Sequence, residues 1–307
     1  MLKISHSSAS MARSCPKKYW WHYIKGLIPI RKSNALALGS VVHEAFDMYY
    51  NKFPNQEVVK YIIDTMNDQI ANVTPDEQED LTIAKYTALG MWEYFPNKNL
   101  AEWDEYRSEK EFEVRLGNMR NVKFVGRSDR LLKKDGKWWI GELKTSGLPF
   151  SSFQNRAQVS DQVTAYVYAW QQLGVPVQGV IFDFIKKPLL RKHVKDTASD
   201  FAKRILEDYR TRPDFYFARH YEYRSATDVS IWLEDIKSQV KEIRDIWKGK
   251  VRRNPDNCWN YNAECPYKKI CFQEKADTLT VSLYFTKKQV IIGNPGLGQT
   301  TAKPTGV

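Results

Sequence analysis

The 307-residue chain is 42% hydrophobic and 13% aromatic, which excludes a disordered protein and leaves material for one large core or two modest ones. Its 47 Lys and Arg against 36 Asp and Glu give a net charge of +11, a balance that suits a polyanionic partner. No run of about 18 apolar residues occurs, as a spanning helix would need, and the start MLKISHSSASMARSC lacks the apolar core of a signal peptide, so a cytoplasmic protein is expected.

Ser-rich capping signals open the chain and lead into a basic, aromatic helical stretch, PKKYWWHYIKG. There Lys17, Lys18 and Lys25 interleave with Tyr19, Trp20, Trp21 and Tyr23. The pattern serves either as cations and rings for an unpaired nucleic-acid strand or as a helix whose rings face a core. Spacing predicts a helix from Ala35 to Tyr50 with His43 inside it, and helical patterns run on to about Tyr94, interrupted at Pro54 and Pro75. Between Ser108 and Ser146 the texture turns strand-like in EFEVRL, VKFVGRSDRLL and KWWIGELKT, and KKDGK supplies a hairpin turn between the last two. A helix over 155–173, a buried strand VQGVIFDFIKK, and helices over 199–212 and 227–248 follow. The order predicts a mixed α/β domain with a helical insertion. KKPLLRKHVK (186–195) and KGKVRR (248–253) read as solvated basic faces.

If GELKTSG (141–147) ends a strand, Glu142 and Lys144 share one face and Leu143 takes the other. Asp129, thirteen residues earlier in VGRSDRLL, lies on the strand that the KKDGK turn should pair with it. Two carboxylates on adjacent strands can share a divalent cation, since Mg²⁺ is commonly held by one or two carboxylates with waters and phosphate completing the shell. Such a cation lowers the pKa of its water, and a neighbouring Lys144 could orient the nucleophile and steady the charge of a phosphoryl transition state. The plain alternative is a solvated ion pair on a sheet surface, worth less than about 1 kcal/mol. QVTAY puts Gln162 and Tyr166 four apart on one helix face, where both can bond a phosphate or simply line an amphipathic helix.

Taken in order, GSVVHEAF with His43, GRSD with Asp129, GELK with Glu142 and Lys144, and QVTAY with Gln162 and Tyr166 resemble RecB-type nucleases of the PD-(D/E)XK superfamily. The resemblance spans about residues 5–272. It implies a restriction-endonuclease-like mixed sheet flanked by helices, with a nuclease domain over 1–275 and a helical insertion at about 44–100. It also implies a metal site of His43, Asp129, Glu142 and the Leu143 carbonyl for Mg²⁺ or Mn²⁺, with Lys144 serving the water and Gln162 and Tyr166 facing DNA. Ser128 stands where the name-giving motif has Pro. The implied activity is a metal-dependent DNA exonuclease acting on single strands or ends in repair, recombination or replication, with a helicase or ATPase as partner and no membrane. The alternatives are a structure-specific endonuclease, including one that processes CRISPR spacers, and a non-catalytic DNA-binding subunit.

Of the four cysteines, Cys258, Cys265 and Cys271 crowd into 14 residues, while Cys15 lies 243 positions upstream. No tight Cys-x₂₋₄-Cys hook of a structural zinc site is present, and residues alone leave free thiols, zinc or an iron–sulfur cluster. Cys15 in SCPKKYWW with CPYKKIC resembles the iron–sulfur RecB-type nucleases, among them the nuclease domain of AddB-type repair helicases and a CRISPR-associated exonuclease. The resemblance implies a 4Fe-4S cluster stapling the C-terminal region (258–271) to the N-terminal segment. The tail over 276–307 contains KKQVIIGNPGLGQTT, which mimics a phosphate-binding loop. Gln299 stands where the lysine belongs, and only seven residues follow Thr300, so no ATP activity is expected.

Overall fold

In a computed structural model of the chain, the structure describes residues 1–30, 34–260, 263–273 and 277–288; the phosphate-loop-like stretch lies almost wholly outside them. In chain order the elements are β1 (Leu2–Ile4), α1 (His6–Ser14), α2 (Pro16–Tyr19), β2 (Leu27–Pro29), α3 (Asn34–Tyr50), α4 (Asn55–Ala71), α5 (Pro75–Tyr94), β3 (Glu105–Arg115), β4 (Val122–Lys134) and β5 (Lys137–Ser146). Then come α6 (Phe150–Gln158), α7 (Asp161–Gln172), β6 (Val177–Lys186), α8 (Ala198–Thr211), α9 (Pro213–Tyr216), β7 (Phe217–Tyr223) and α10 (Ala226–Trp247). Last are β8 (Trp259–Asn260), β9 (Ala263–Glu264), α11 (Lys268–Cys271), α12 (Thr278–Tyr284) and β10 (Phe285–Lys287).

Two compact units result, one of Lys32–Glu111 with Arg127–Ala226, the other of Met1–Arg31, Phe112–Gly126 and Thr227–Val307. In the first, β5 runs antiparallel to β4 and parallel to β6, which in turn runs antiparallel to β7, so the sheet is mixed. The β4–β5 hairpin closes on Asp135 and Gly136, both at positive φ (50° and 73°), with Lys134 opposite Lys137; this is the two-residue turn that the local Asp-Gly favours. The parallel β5–β6 pair needs a crossover, and α6 and α7 provide it. Nearly every residue of β6 is buried, as expected of a central strand covered on both faces. Leu143 and Ile185 join the apolar faces of α3, α4, α5 and α8 on one side. On the other, Phe182 and Phe184 pack against Phe150 and Phe153 of α6 at ring separations of 4.9 to 5.5 Å.

In the second unit β1 lies parallel to the start of β4, Leu2 opposite Val122. Ser5 caps α1 in a reciprocal capping box with Ser8, the local signal visible in SHSSAS. Helix α10 buries Trp232, Ile236, Val240, Ile243 and Ile246, a helical stripe whose first ring meets Phe124 edge-on at 5.5 Å. A separate cluster of Trp21, Leu27, Tyr267, Ile270 and Phe285 brings together residues from the two ends of the sequence.

Several expectations need correction. The helix over 155–173 is two helices, broken at Val159 and Ser160, where Ser160 takes extended backbone and α7 restarts with Asp161 in its first turn. Strands β1 and β7 carry no sequence signal: three residues are too few to show a period, and FARHYEY lacks the apolar alternation of a half-buried strand. Lys186 is not part of a solvated basic face. It is 7% exposed, with its ammonium 3.6 Å from the centre of the Phe215 ring. Among the described residues no helix is long and apolar enough to cross a membrane.

At Gly179, opposite Tyr223 in the β6–β7 ladder, a Cβ would stand 2.1 Å from the Glu222 carbonyl oxygen, which is backbone and cannot rotate away. Gly179→Ala should therefore force β7 off β6 and lower stability by roughly 1–3 kcal/mol. Chemical denaturation of the variant against wild type measures it.

Candidate active site

The site begins with register. Arg130 pairs with Gly141, so Asp129 and Glu142 stand one step beyond, at the point where β4 and β5 part. The freed Leu143 N–H finds a partner in the Asp129 carboxylate, which accepts it at 2.8 Å through Oδ2. The same oxygen lies 3.2 Å from His43 Nδ1, brought in by α3. Burial alone would raise the Asp129 pKa, but the hydrogen bond and charge of His43, together with Arg130 and Lys144, hold it well below the usual carboxylate range.

Glu142 sits differently. It is 4% exposed; Oε2 accepts from Lys144 Nζ at 3.0 Å, while Oε1 is buried with no hydrogen-bond partner among the described residues. Burial first, and then the charge on Asp129, push its pKa above the ordinary value. Lys144 is held the other way: burial works against its charge, but Glu142 and Asp129 outweigh it and raise the pKa, so the ammonium stays protonated. Its Nζ also reaches Gln162 Oε1 at 3.5 Å, the outer limit of a hydrogen bond, and Gln162 Nε2 donates to the Tyr166 hydroxyl at 3.2 Å. Burial, followed by the Glu142 charge, pushes the Tyr166 hydroxyl up to about 12.

All six expected side chains therefore lie in one neighbourhood, with Glu142 and Lys144 on the face that α6 and α7 cover. Leu143, whose carbonyl is the remaining expected donor, turns its side chain into the helix core. A cavity of about 10 Å³, room for one water-sized body, is lined by His43, Asp47, Asp129, Arg130 and Leu143. Two of these residues escaped the sequence reading. Asp47 is one helical turn after His43, and the i,i+4 spacing was the available signal; its carboxylate accepts from the Ser108 hydroxyl. Arg130 follows Asp129 directly, is 2% exposed, and sends Nη2 to 3.5 Å from Asp183, while Nε has no hydrogen-bond partner among the described residues.

Among the described residues no three His, Cys, Asp or Glu side chains are already set in a metal-ligating arrangement. The chemistry of the donors still suits a hard cation. Two carboxylates meet here, one oxygen is buried without a partner, and a raised carboxylate pKa marks negative charge that lacks compensation.

The four cysteines lie in the other unit as free thiols. Cys15 ends α1, and the carbonyl just before it, on Ser14, accepts from the side chains of Asn254 and Asn257 at 2.9 Å each. Cys265 N–H donates to the Cys258 carbonyl at 2.8 Å. Burial pushes the thiols of Cys265 and Cys271 up, and charge on Cys15 and Cys258 adds to the shift in both; among the described residues the four are not set as a metal-ligating group.

Over residues 3–272 the sequence matches the family described as the PD-(D/E)XK nuclease superfamily. None of the curated proteins compared matches it in sequence. Among solved structures it is similar to a crystal structure from Eubacterium rectale described as a "putative exonuclease", with a TM-score of 0.50 and 13% identity over 91% of each chain. At that identity the likeness speaks for the fold, and it agrees with the mixed sheet flanked by helices. The sequence match spans most of the chain and contains every element of the site: the chain belongs to the PD-(D/E)XK nuclease superfamily.

Proposed function

We propose that the protein is a RecB-type, metal-dependent DNA exonuclease that hydrolyses phosphodiester bonds on single-stranded or end-resected DNA. The observation that carries this is the buried, unpartnered oxygen of Glu142 beside a second carboxylate, Asp129, with a protonated lysine on the same face. His43, Asp129, Glu142 and the Leu143 carbonyl would hold Mg²⁺ or Mn²⁺; imidazole among the donors suits Mn²⁺ at least as well as Mg²⁺. When bound, the cation supplies a water of lowered pKa and a counter-charge for the phosphate. Lys144, kept protonated by its two carboxylates, acts as a fixed cation that orients the nucleophile and stabilises the extra negative charge, not as a base. Gln162 ties Lys144 to Tyr166, so α7 sets the position of the ammonium and presents two polar groups to the DNA backbone. In this reading the protein acts in the cytoplasm in repair, recombination or replication, beside a helicase or ATPase that delivers ends.

The cysteines are part of the same proposal. Cys15, Cys258, Cys265 and Cys271, free thiols of a unit whose distant segments are hydrogen-bonded together, would be the ligands of a 4Fe-4S cluster in a structural role. Closing a loop of more than two hundred residues would restrict the unfolded chain. Protein purified without oxygen should be brown and contain iron and acid-labile sulfide. Cys265→Ser should lose both, and a colourless preparation carrying zinc would refute the cluster.

With Mn²⁺ and end-labelled linear single-stranded, linear duplex and circular DNA, wild type should cut linear substrates from an end. Lys144→Ala should reduce cleavage by about 10²–10³-fold while leaving DNA binding nearly unchanged. Binding without cleavage by wild type would favour a non-catalytic subunit, and cutting of circles would favour an endonuclease. Glu142→Gln tests the cation site itself. A carboxyl whose folded pKa is raised costs stability once ionised, so removing its charge should raise the melting temperature of metal-free protein at neutral pH. The same change should abolish the further stabilisation that Mn²⁺ gives wild type. A thermal scan with and without the ion reads both effects.

A further inference from the structure

Outside the candidate active site, two basic segments of the cysteine-bearing unit stand out. Residues 13–25 and 248–272 hold ten Lys and Arg against two acids, Asp256 and Glu264, and so carry most of the net +11. The fold joins these segments into one surface. Lys17 N–H donates to the Arg252 carbonyl at 3.0 Å, and both Asn254 and Asn257 donate to the Ser14 carbonyl. Of the two acids, Glu264 is already paired, 2.5 Å from Lys268.

Large rings stand exposed on and beside this basic surface: Trp259 at 61%, Phe272 at 53% and Tyr284 at 44%. Cations lie over two of them, the Arg253 guanidinium 4.8 Å from the Phe272 ring centre and Lys269 Nζ 3.7 Å from that of Tyr284. The ring of Trp20 is approached twice, by Lys17 at 4.2 Å and Lys25 at 4.6 Å. A single exposed ring is ordinary on a protein surface, whereas here three exposed rings border one basic surface. A duplex offers phosphates and hides the faces of its bases. An unpaired strand offers both, which is what alternating cations and rings complement.

We infer that this surface of the cysteine-bearing unit binds single-stranded DNA, with Arg252, Arg253 and Lys269 on phosphates and Trp259, Phe272 and Tyr284 stacking on bases. The choice of DNA rests on the nuclease proposal above; the capacity for an unpaired strand rests on this surface alone. The test is a binding titration of Glu142→Ala protein with a fluorescent oligo-dT and with a duplex of equal length. Replacing Trp259, Phe272 and Tyr284 together by Ala should weaken oligo-dT binding by about ten-fold or more. Arg253→Glu should reduce the steepness with which affinity falls as salt rises, and circular dichroism checks that each variant is folded. An unchanged affinity in the folded triple variant, or a duplex bound as tightly as the single strand, overturns the inference. Should the triple variant fail to fold, an unaltered salt dependence in Arg253→Glu overturns it instead. Because the readout is binding, a wild type that binds through these residues and cuts nothing would defeat the nuclease proposal and leave this one standing.

Discussion

Two carboxylates, Asp129 and Glu142, are forced together where β4 and β5 part, and much of the surrounding unit is arranged around that repulsion. Burying one ionised carboxylate is costly, and burying a second beside it is worse. The molecule divides the problem unevenly. Asp129 takes the imidazole, a backbone N–H and most of the nearby positive charge, and its pKa falls; Glu142 takes only Lys144 and its pKa rises. Such a separation of two neighbouring acids leaves one oxygen of Glu142 without compensation. A group that a folded protein leaves unsatisfied at that depth is a place where an ion or a substrate has something to add.

Register protects this arrangement. The two-residue turn at Asp135 and Gly136 sets Lys134 against Lys137, and everything along the hairpin follows, including the step that aligns Asp129 with Glu142. A slip of one residue would turn Glu142 and Lys144 into the apolar cluster of α3, α4, α5 and α8 and move Leu143 to the face of α6 and α7. Further down the hairpin, Gly141 leaves the space that Arg130 and Leu132 fill; a Cβ there would stand 2.7 Å from the Leu132 side chain and 3.0 Å from Arg130 Nε. Arg130 uses that space to approach Asp183 on β6. Asp183 also accepts from Arg219 of β7 at 2.8 Å, and Arg219 continues to Glu102. Nearly inaccessible charges thus tie three strands together beneath the site, and the guanidinium of Arg130 lies over the Tyr50 ring at 4.6 Å. Removing one partner would leave an uncompensated buried charge, which is strongly destabilising.

In the other unit the governing constraint is chain closure. Hydrogen bonds from Asn254 and Asn257 to the Ser14 carbonyl, and from the Tyr267 hydroxyl to the Leu27 carbonyl, connect residues about 240 positions apart. The same unit holds a small apolar cluster of Trp21, Leu27, Tyr267, Ile270 and Phe285, too small to offset much loop entropy by itself. Cys265 packs against this cluster, and the other three cysteines lie in the same unit. It is also where two segments that together carry a net charge of +8 meet.

Local chemistry made much of this legible from the sequence. Period-two alternation in KWWIGELKT put Glu142 and Lys144 on one face, the Asp-Gly turn paired that strand with the one carrying Asp129, and four-residue spacing put Gln162 beside Tyr166. Each is a short-range rule, set by backbone geometry before any packing occurs. Tertiary structure decided the rest, because it depends on groups distant in sequence. The depth at which Glu142 is buried, the placing of Asp47 and Arg130 at the same cavity, the withdrawal of Lys186 from solvent and the joining of two basic segments all come from packing. Burial and long-range juxtaposition have no local period to read. They set which charges are compensated, and those charges govern the chemistry of this chain.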